Sequence, residues 1–194
     1  MASIDSRFPG YLTPSATSAS DPTDALRRFV SELSGIPLTL VRKRWIQKGG
    51  TMPGADVNWC SLGIDNVKSW ATPESYRVRG DLEEVGSAYD KKITHQTLTV
   101  SVWFHGPDAH VLADGFREGA YLSQNNDKLK QSGLTVQSVN DEIRHLPDFI
   151  NENWVDRYEV TFLVGRAVTR TYGIRSIARV GEVIIYTDTH TTNE

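Results

Sequence analysis

An α+β fold, a mostly antiparallel sheet with helices packed on it, is what this chain of 194 residues predicts. Residues 97–104 alternate strictly, with Leu98, Val100, Val102 and Phe104 on one side and Thr97, Thr99, Ser101 and Trp103 on the other, the pattern of a half-buried strand. Gly106-Pro107-Asp108 then turns into a segment whose Ala109, Leu112, Ala113, Phe116 and Ala120 form one helical stripe. A third segment, 157–170, alternates Tyr158, Val160, Phe162 and Val164 against Arg157, Glu159, Thr161 and Leu163, with only Gly165 as a turn signal. Its length, on the order of 45 Å at ~3.3 Å per residue, predicts a strand far longer than the usual five or six residues.

From the N-terminus, residues 1–20 are rich in Ser, Thr, Ala and Pro without apolar periodicity and predict a flexible arm. Asp21 reads as a helix N-cap with Pro22 in the first helical position, and Leu26, Phe29, Val30 and Leu33 share one face before Gly35 and Pro37 stop the helix. Residues 38–46 predict a strand that places Arg42 and Arg44 on one side and Lys43 on the other. A Gly/Pro-containing loop follows, then a strand over 58–67 in which Gly63 marks a bulge or a close approach.

The charged stretch 69–92 lacks an apolar face and predicts a projecting loop or hairpin. In the helix after Pro107, Gly115 and Gly119 each cost about 1 kcal/mol relative to Ala, which points to close packing. Residues 123–127 read as a polar break and 128–131 as one helical turn. The strand over 134–143 changes its apolar spacing from two to three, the sign of a bulge. Trp154 opens the long strand, which reads as one side of a hairpin arm turning near Gly173, with the return strand carried by Val180, Val183 and Ile185.

This size supports a core without metal or disulfide, since chains of this length bury roughly 70% of their unfolded surface. A hydrophobic content of 39% against 23% charged residues is that of a folded globular chain. No apolar run approaches the ~20 residues of a membrane span, and the N-terminus does not read as a secretory signal, so synthesis in the cytoplasm is expected. Cys60 is the single cysteine, which excludes an intrachain disulfide and points to a buried, inert thiol. The formal charge of -3 gives no drive toward nucleic acid.

Chemistry has few carriers. His105 and His110 are five apart, unlike a helical metal-binding pair, and no phosphate-binding glycine loop or nucleophile elbow is present. Glu83-Glu84 and Asp141-Glu142 are neighbours that a strand would point to opposite faces. No catalytic, metal-ligating or cofactor-binding residue is therefore assigned, and no cofactor is expected. Arg42, Lys43 and Arg44 beside Trp45 read either as a phosphate contact or as a subunit interface pairing Arg with carboxylates.

The run His95-Gln96-Thr97-Leu98-Thr99-Val100-Ser101-Val102-Trp103-Phe104-His105-Gly106-Pro107, with Leu146-Pro147 and then Trp154-Val155-Asp156-Arg157 entering the long strand, resembles the neck or tail terminator proteins of tailed bacteriophages. The likeness covers about 21–188. It implies one α+β domain over 21–188 with long arms, a loose tail over 189–194, and a non-enzymatic virion protein. It further implies a ring, expected to be a hexamer, that caps the tail tube beneath the head–tail connector and leaves a DNA channel. The partners would be the tail-tube protein, the connector or another neck protein, and the sheath where one exists. Arg42, Lys43, Arg44, Arg77, Arg79, Glu83, Glu84, Arg166, Arg170 and Arg175 are the interface candidates. A related head–tail joining or tail-completion protein would show the same pattern.

Overall fold

The computed structural model describes residues 11–18, 20–45, 51–70, 72–78, 88–150 and 152–173. In chain order these form β1 (Ala16–Thr17), α1 (Thr23–Ser34), a 3-10 turn (Leu38–Leu40), β2 (Val41–Lys43), β3 (Trp59–Ser69), β4 (Glu74–Val78) and β5 (Tyr89–His105). Then follow α2 (Ala109–Tyr121), α3 (Ser123–Lys130), β6 (Leu134–Val139), β7 (Arg144–His145), β8 (Asp148–Ile150), β9 (Asn153–Val155) and β10 (Arg157–Gly173). The fold is α+β with mostly antiparallel strands, as the sequence predicts. The chain divides into two compact units, a larger one of 18–74 and 93–169 and a smaller one drawn from 1–17, 75–92 and 170–194.

In the larger unit, β2 lies parallel to β3, β3 antiparallel to β5, and β10 beside β5, with β6 and β7 antiparallel along β10. Period-two alternation sends Leu98, Val100, Val102 and Phe104 of β5 and Val160, Phe162 and Val164 of β10 to one face. There they meet Leu26, Phe29 and Val30 of α1 and Ala109, Ala113, Phe116 and Ala120 of α2. Phe116 is the hub, with ring centroids 6.0 Å from Phe29, 5.7 Å from Phe104 and 5.5 Å from Phe162. Burying each such ring stabilises by about 1.5–3 kcal/mol, so the predicted stripe and alternation suffice to place the helices on the sheet.

Several elements differ from expectation. The Asp21 carboxylate accepts the Thr23 N–H at 2.9 Å, the capping bond expected of it, and α1 runs from Thr23 with Pro22 in helical φ/ψ just ahead of it. Gly35, at φ 73°, closes the helix as expected. Residues 38–46 were expected as one strand; the segment makes a 3-10 turn first and leaves three strand residues, because Arg27 from α1 donates to the Leu38 and Val41 carbonyls and bends it. The expected polar break at 123–127 is the body of α3. Its Asn125 donates to the Gly119 carbonyl, and Asn126 accepts the Val136 N–H at 2.9 Å, so polar side chains dock the helix. Gly119 packs closely, since a Cβ there would stand 2.5 Å from Leu33, whereas Gly115 faces open space.

Two strands carry bulges. On β3 the register with β5 jumps from Ile64 to Asn66, leaving Asp65 unpaired; on β6 the register with β10 jumps over Gln137. The expected bulge within 134–143 is thus at Gln137, and Gly63 is a close-approach point rather than the bulge. Trp154 does not open the long strand: it belongs to β9, which pairs with β8 in a separate two-stranded sheet, and β10 starts at Arg157.

In the smaller unit, Ala16 and Thr17 pair with Thr171 and Arg170, and Ser15 donates to the Thr171 carbonyl. β4 pairs with β5, and Arg77 meets Asp90 at 3.1 Å. Arg79, Glu83, Glu84, Arg175 and the return strand of 180–185 lie outside the described residues.

Candidate interaction surfaces of the sheet

The sheet face turned away from the helices holds the polar half of the alternation. Gly63 opens it: a Cβ there would stand 2.8 Å from Trp45 and 3.0 Å from Arg44, so a side chain would block Arg44 from crossing β3. Arg44 therefore lies over the Trp103 ring, 3.5 Å from its centroid, with Arg157 over the same ring at 4.2 Å. Each cation has its own carboxylate, Asp65 at 2.9 Å for Arg44 and Asp148 at 2.8 Å for Arg157. Asp65 also accepts a hydrogen bond from Ser101, which makes the bulged residue the junction of three strands. Arg144 and the buried Glu159 add a further pair at 2.7 Å.

Beside this network His105 stacks on Trp59, centroids 4.0 Å apart and nearly coplanar, with neither ring nitrogen hydrogen-bonded. Burial, and secondarily the Arg157 charge, push its pKa down to about 4, so the ring is neutral near pH 7. Cys60 points into the core, where burial pushes its thiol up to about 12 and leaves it unreactive. Among the described residues no group of three or more His, Cys, Asp or Glu gathers as a metal site, and no helix is long and apolar enough to cross a membrane. What this face supplies is rigidity, with paired charges fixed across four strands.

Two surface features stand along β10, one ahead of its start and one at its middle. Ahead of Arg157, the β8–β9 hairpin presents Phe149 and Trp154, 62% and 72% exposed, with centroids 5.2 Å apart. Glu152, at φ 64°, sits in its turn. At the middle of β10 an open groove of about 600 Å³ is lined by Trp70, Glu74, His95, Gln96, Lys130, Gln137 and Arg166, among others, with Glu74 3.4 Å from the His95 ring. The bulged Gln137 crosses β10 above Gly165 and accepts from Thr97 at 3.1 Å; a Cβ on Gly165 would stand 2.7 Å from its amide nitrogen. Arg166 donates to Gln96 at 2.9 Å and to the Ser20 carbonyl at 3.3 Å.

The predicted interface residues are dispersed. Arg42 donates to the Thr51 carbonyl at 2.7 Å, Lys43 lies 3.7 and 3.6 Å from Asp21 and Asp24, and Arg44 is enclosed by Trp103 and Asp65. Arg166 lines the groove, and Arg77 and Arg170 belong to the smaller unit. Asp65, Gln137, Phe149 and the Trp103–Arg157 contact escape sequence reasoning. A bulge is chosen by the partner strand, and a cation over a ring joins residues from different elements.

A family model described as phage neck terminator protein matches residues 21–191. No curated protein matches the chain. The matched span includes both predicted signatures, the 95–107 strand entering α2 and the segment from Leu146-Pro147 to Arg157, which forms the separate β8–β9 hairpin and leads into β10. The chain belongs to the phage neck terminator protein family, a family of structural phage proteins rather than of enzymes.

Proposed function

We propose that the protein closes with copies of itself into a ring at the virion neck, six being the expected number. The ring ends tail-tube growth, joins the tube to the head–tail connector, with the sheath alongside where present, and leaves a passage for DNA. Assembly takes place in the host cytoplasm. The family match over 21–191 carries this reading. The cross-braced sheet supports it, because a ring that transmits load between tube and connector requires strands that do not slip, and the side chains of Asp65 and Gln137 span neighbouring strands at the two register breaks.

In this reading 21–188 works as one unit behind the arm of 1–20 and before the tail of 189–194. Arg42, Lys43, Arg77, Arg79, Glu83, Glu84, Arg166, Arg170 and Arg175 contribute contacts to neighbours, and Arg44 contributes stiffness. Electron microscopy and native mass measurement of the full chain, with and without purified tail tubes, test it. A closed ring seated on one tube end is the expected result. Single copies decorating the tube along its length, or no association with tubes, would overturn it.

A further inference from the structure

We infer that neighbouring subunits join head to tail, the Phe149–Trp154 hairpin of one copy inserting into the Trp70–Arg166 groove of the next. The inference rests on the ring reading and names the contact that closes it.

The hairpin is an apolar projection with an acidic border: residues 148–156 contain Asp148, Glu152 and Asp156 and no Lys or Arg. Asp148 and Asp156 are engaged by Arg157 and His145, but Glu152 has no cation within ion-pair distance among the described residues. The groove is its counterpart in chemistry. Trp70, 63% exposed, supplies an aromatic wall, and Arg166 has only neutral partners, Gln96 and the Ser20 carbonyl, with no carboxylate within ion-pair distance among the described residues. Its volume of about 600 Å³ lies within the ~300–1,000 Å³ of ligand-sized clefts. Glu74 also lines it, 3.4 Å from the His95 ring. Paired aromatics beside an acidic turn thus face a Trp-walled groove in which Arg166 has no carboxylate within ion-pair distance among the described residues.

Geometry decides the occupant. Arg157 at the hairpin's exit and Arg166 in the groove are nine residues apart on β10, on the order of 30 Å along one extended strand. One chain cannot fill its own groove, whereas a second copy can. Because the two patches differ and lie about 30 Å apart along the same strand, the contact is heterologous, the kind that generates a ring when its rotation closes. Exposed aromatics entering a pocket are the usual carriers of such an interface.

Two single-cysteine variants, Glu152→Cys and Ala167→Cys, test the contact on tail tubes; both positions are exposed, and the native Cys60 is buried and silent. A disulfide-linked pair that forms only when both variants are mixed is expected. In parallel, Trp154→Ser should weaken self-association roughly thirtyfold. Glu152→Arg and Arg166→Glu should each lose the ring, and the double variant should regain it. Mixed variants that close into rings on tubes without the disulfide, or Glu152→Cys linking to itself, would overturn the inference and leave the ring reading standing. Wild-type chains that never close on tubes would overturn both.

Discussion

At the scale of single residues, His105 shows what the outer face of the sheet is made for. Its ring fills space against Trp59 instead of exchanging protons, and burial holds its pKa at about 4, below the ordinary 6.5 of histidine. A histidine depressed in the folded state contributes stability that is complete above its unfolded pKa. That stability drains as pH falls from 6.5 toward 4, where the unfolded chain binds the proton and the folded one refuses it. Between pH 7.5 and 4.5 the loss from this group is on the order of 2–3 kcal/mol. His105→Phe keeps the stack and removes two unpartnered nitrogens, so it should be neutral or stabilising at pH 7.5 and lack that share of the acid sensitivity. Urea unfolding of both proteins at the two pH values checks this; equal acid losses would show that His105 titrates freely.

At the scale of elements, glycine and bulge work together twice. Gly63 lets Arg44 cross β3 to the bulged Asp65, and Gly165 lets the bulged Gln137 cross β10 to Thr97. Gly165→Ala should push the Gln137 amide away and cost about 1 kcal/mol, the net worth of one side-chain hydrogen bond. In a Gln137→Ala background the same change should cost little or stabilise, because Ala restricts the unfolded chain more than Gly does. A double-mutant cycle by denaturant unfolding reads the difference, and additive costs would remove Gln137 from the argument. The strands and the α2 stripe were legible from sequence because burial imposes a period on every residue they contain. The 38–46 and 123–127 segments were misread because contacts outside them set their backbone, Arg27 on the Leu38 and Val41 carbonyls and Gly119 and Val136 on Asn125 and Asn126.

At the scale of the whole molecule, the charge that reaches solvent bears on DNA. Net charge is -3, and Arg44, Arg144 and Arg157 are each held by a carboxylate. The full chain should bind duplex DNA no tighter than the non-specific range of ~10⁻⁴–10⁻⁶ M at physiological salt, as suits a wall that DNA slides past. Fluorescence anisotropy with a labelled duplex measures it. A steeply salt-dependent, submicromolar Kd would replace passage with capture.

The sequence by itself determined the fold class, the helix-covered face of the sheet, the buried thiol and the family, because each depends on periodicity or on motifs contiguous in the chain. Only the tertiary structure decided where Asp65 and Gln137 leave their ladders, how Arg44 and Arg157 converge on Trp103, and that an aromatic hairpin precedes β10 while a groove lies at its middle. Apart from the hairpin itself, those are contacts between residues far apart in the chain, and the energy that selects them exists only once the strands lie side by side.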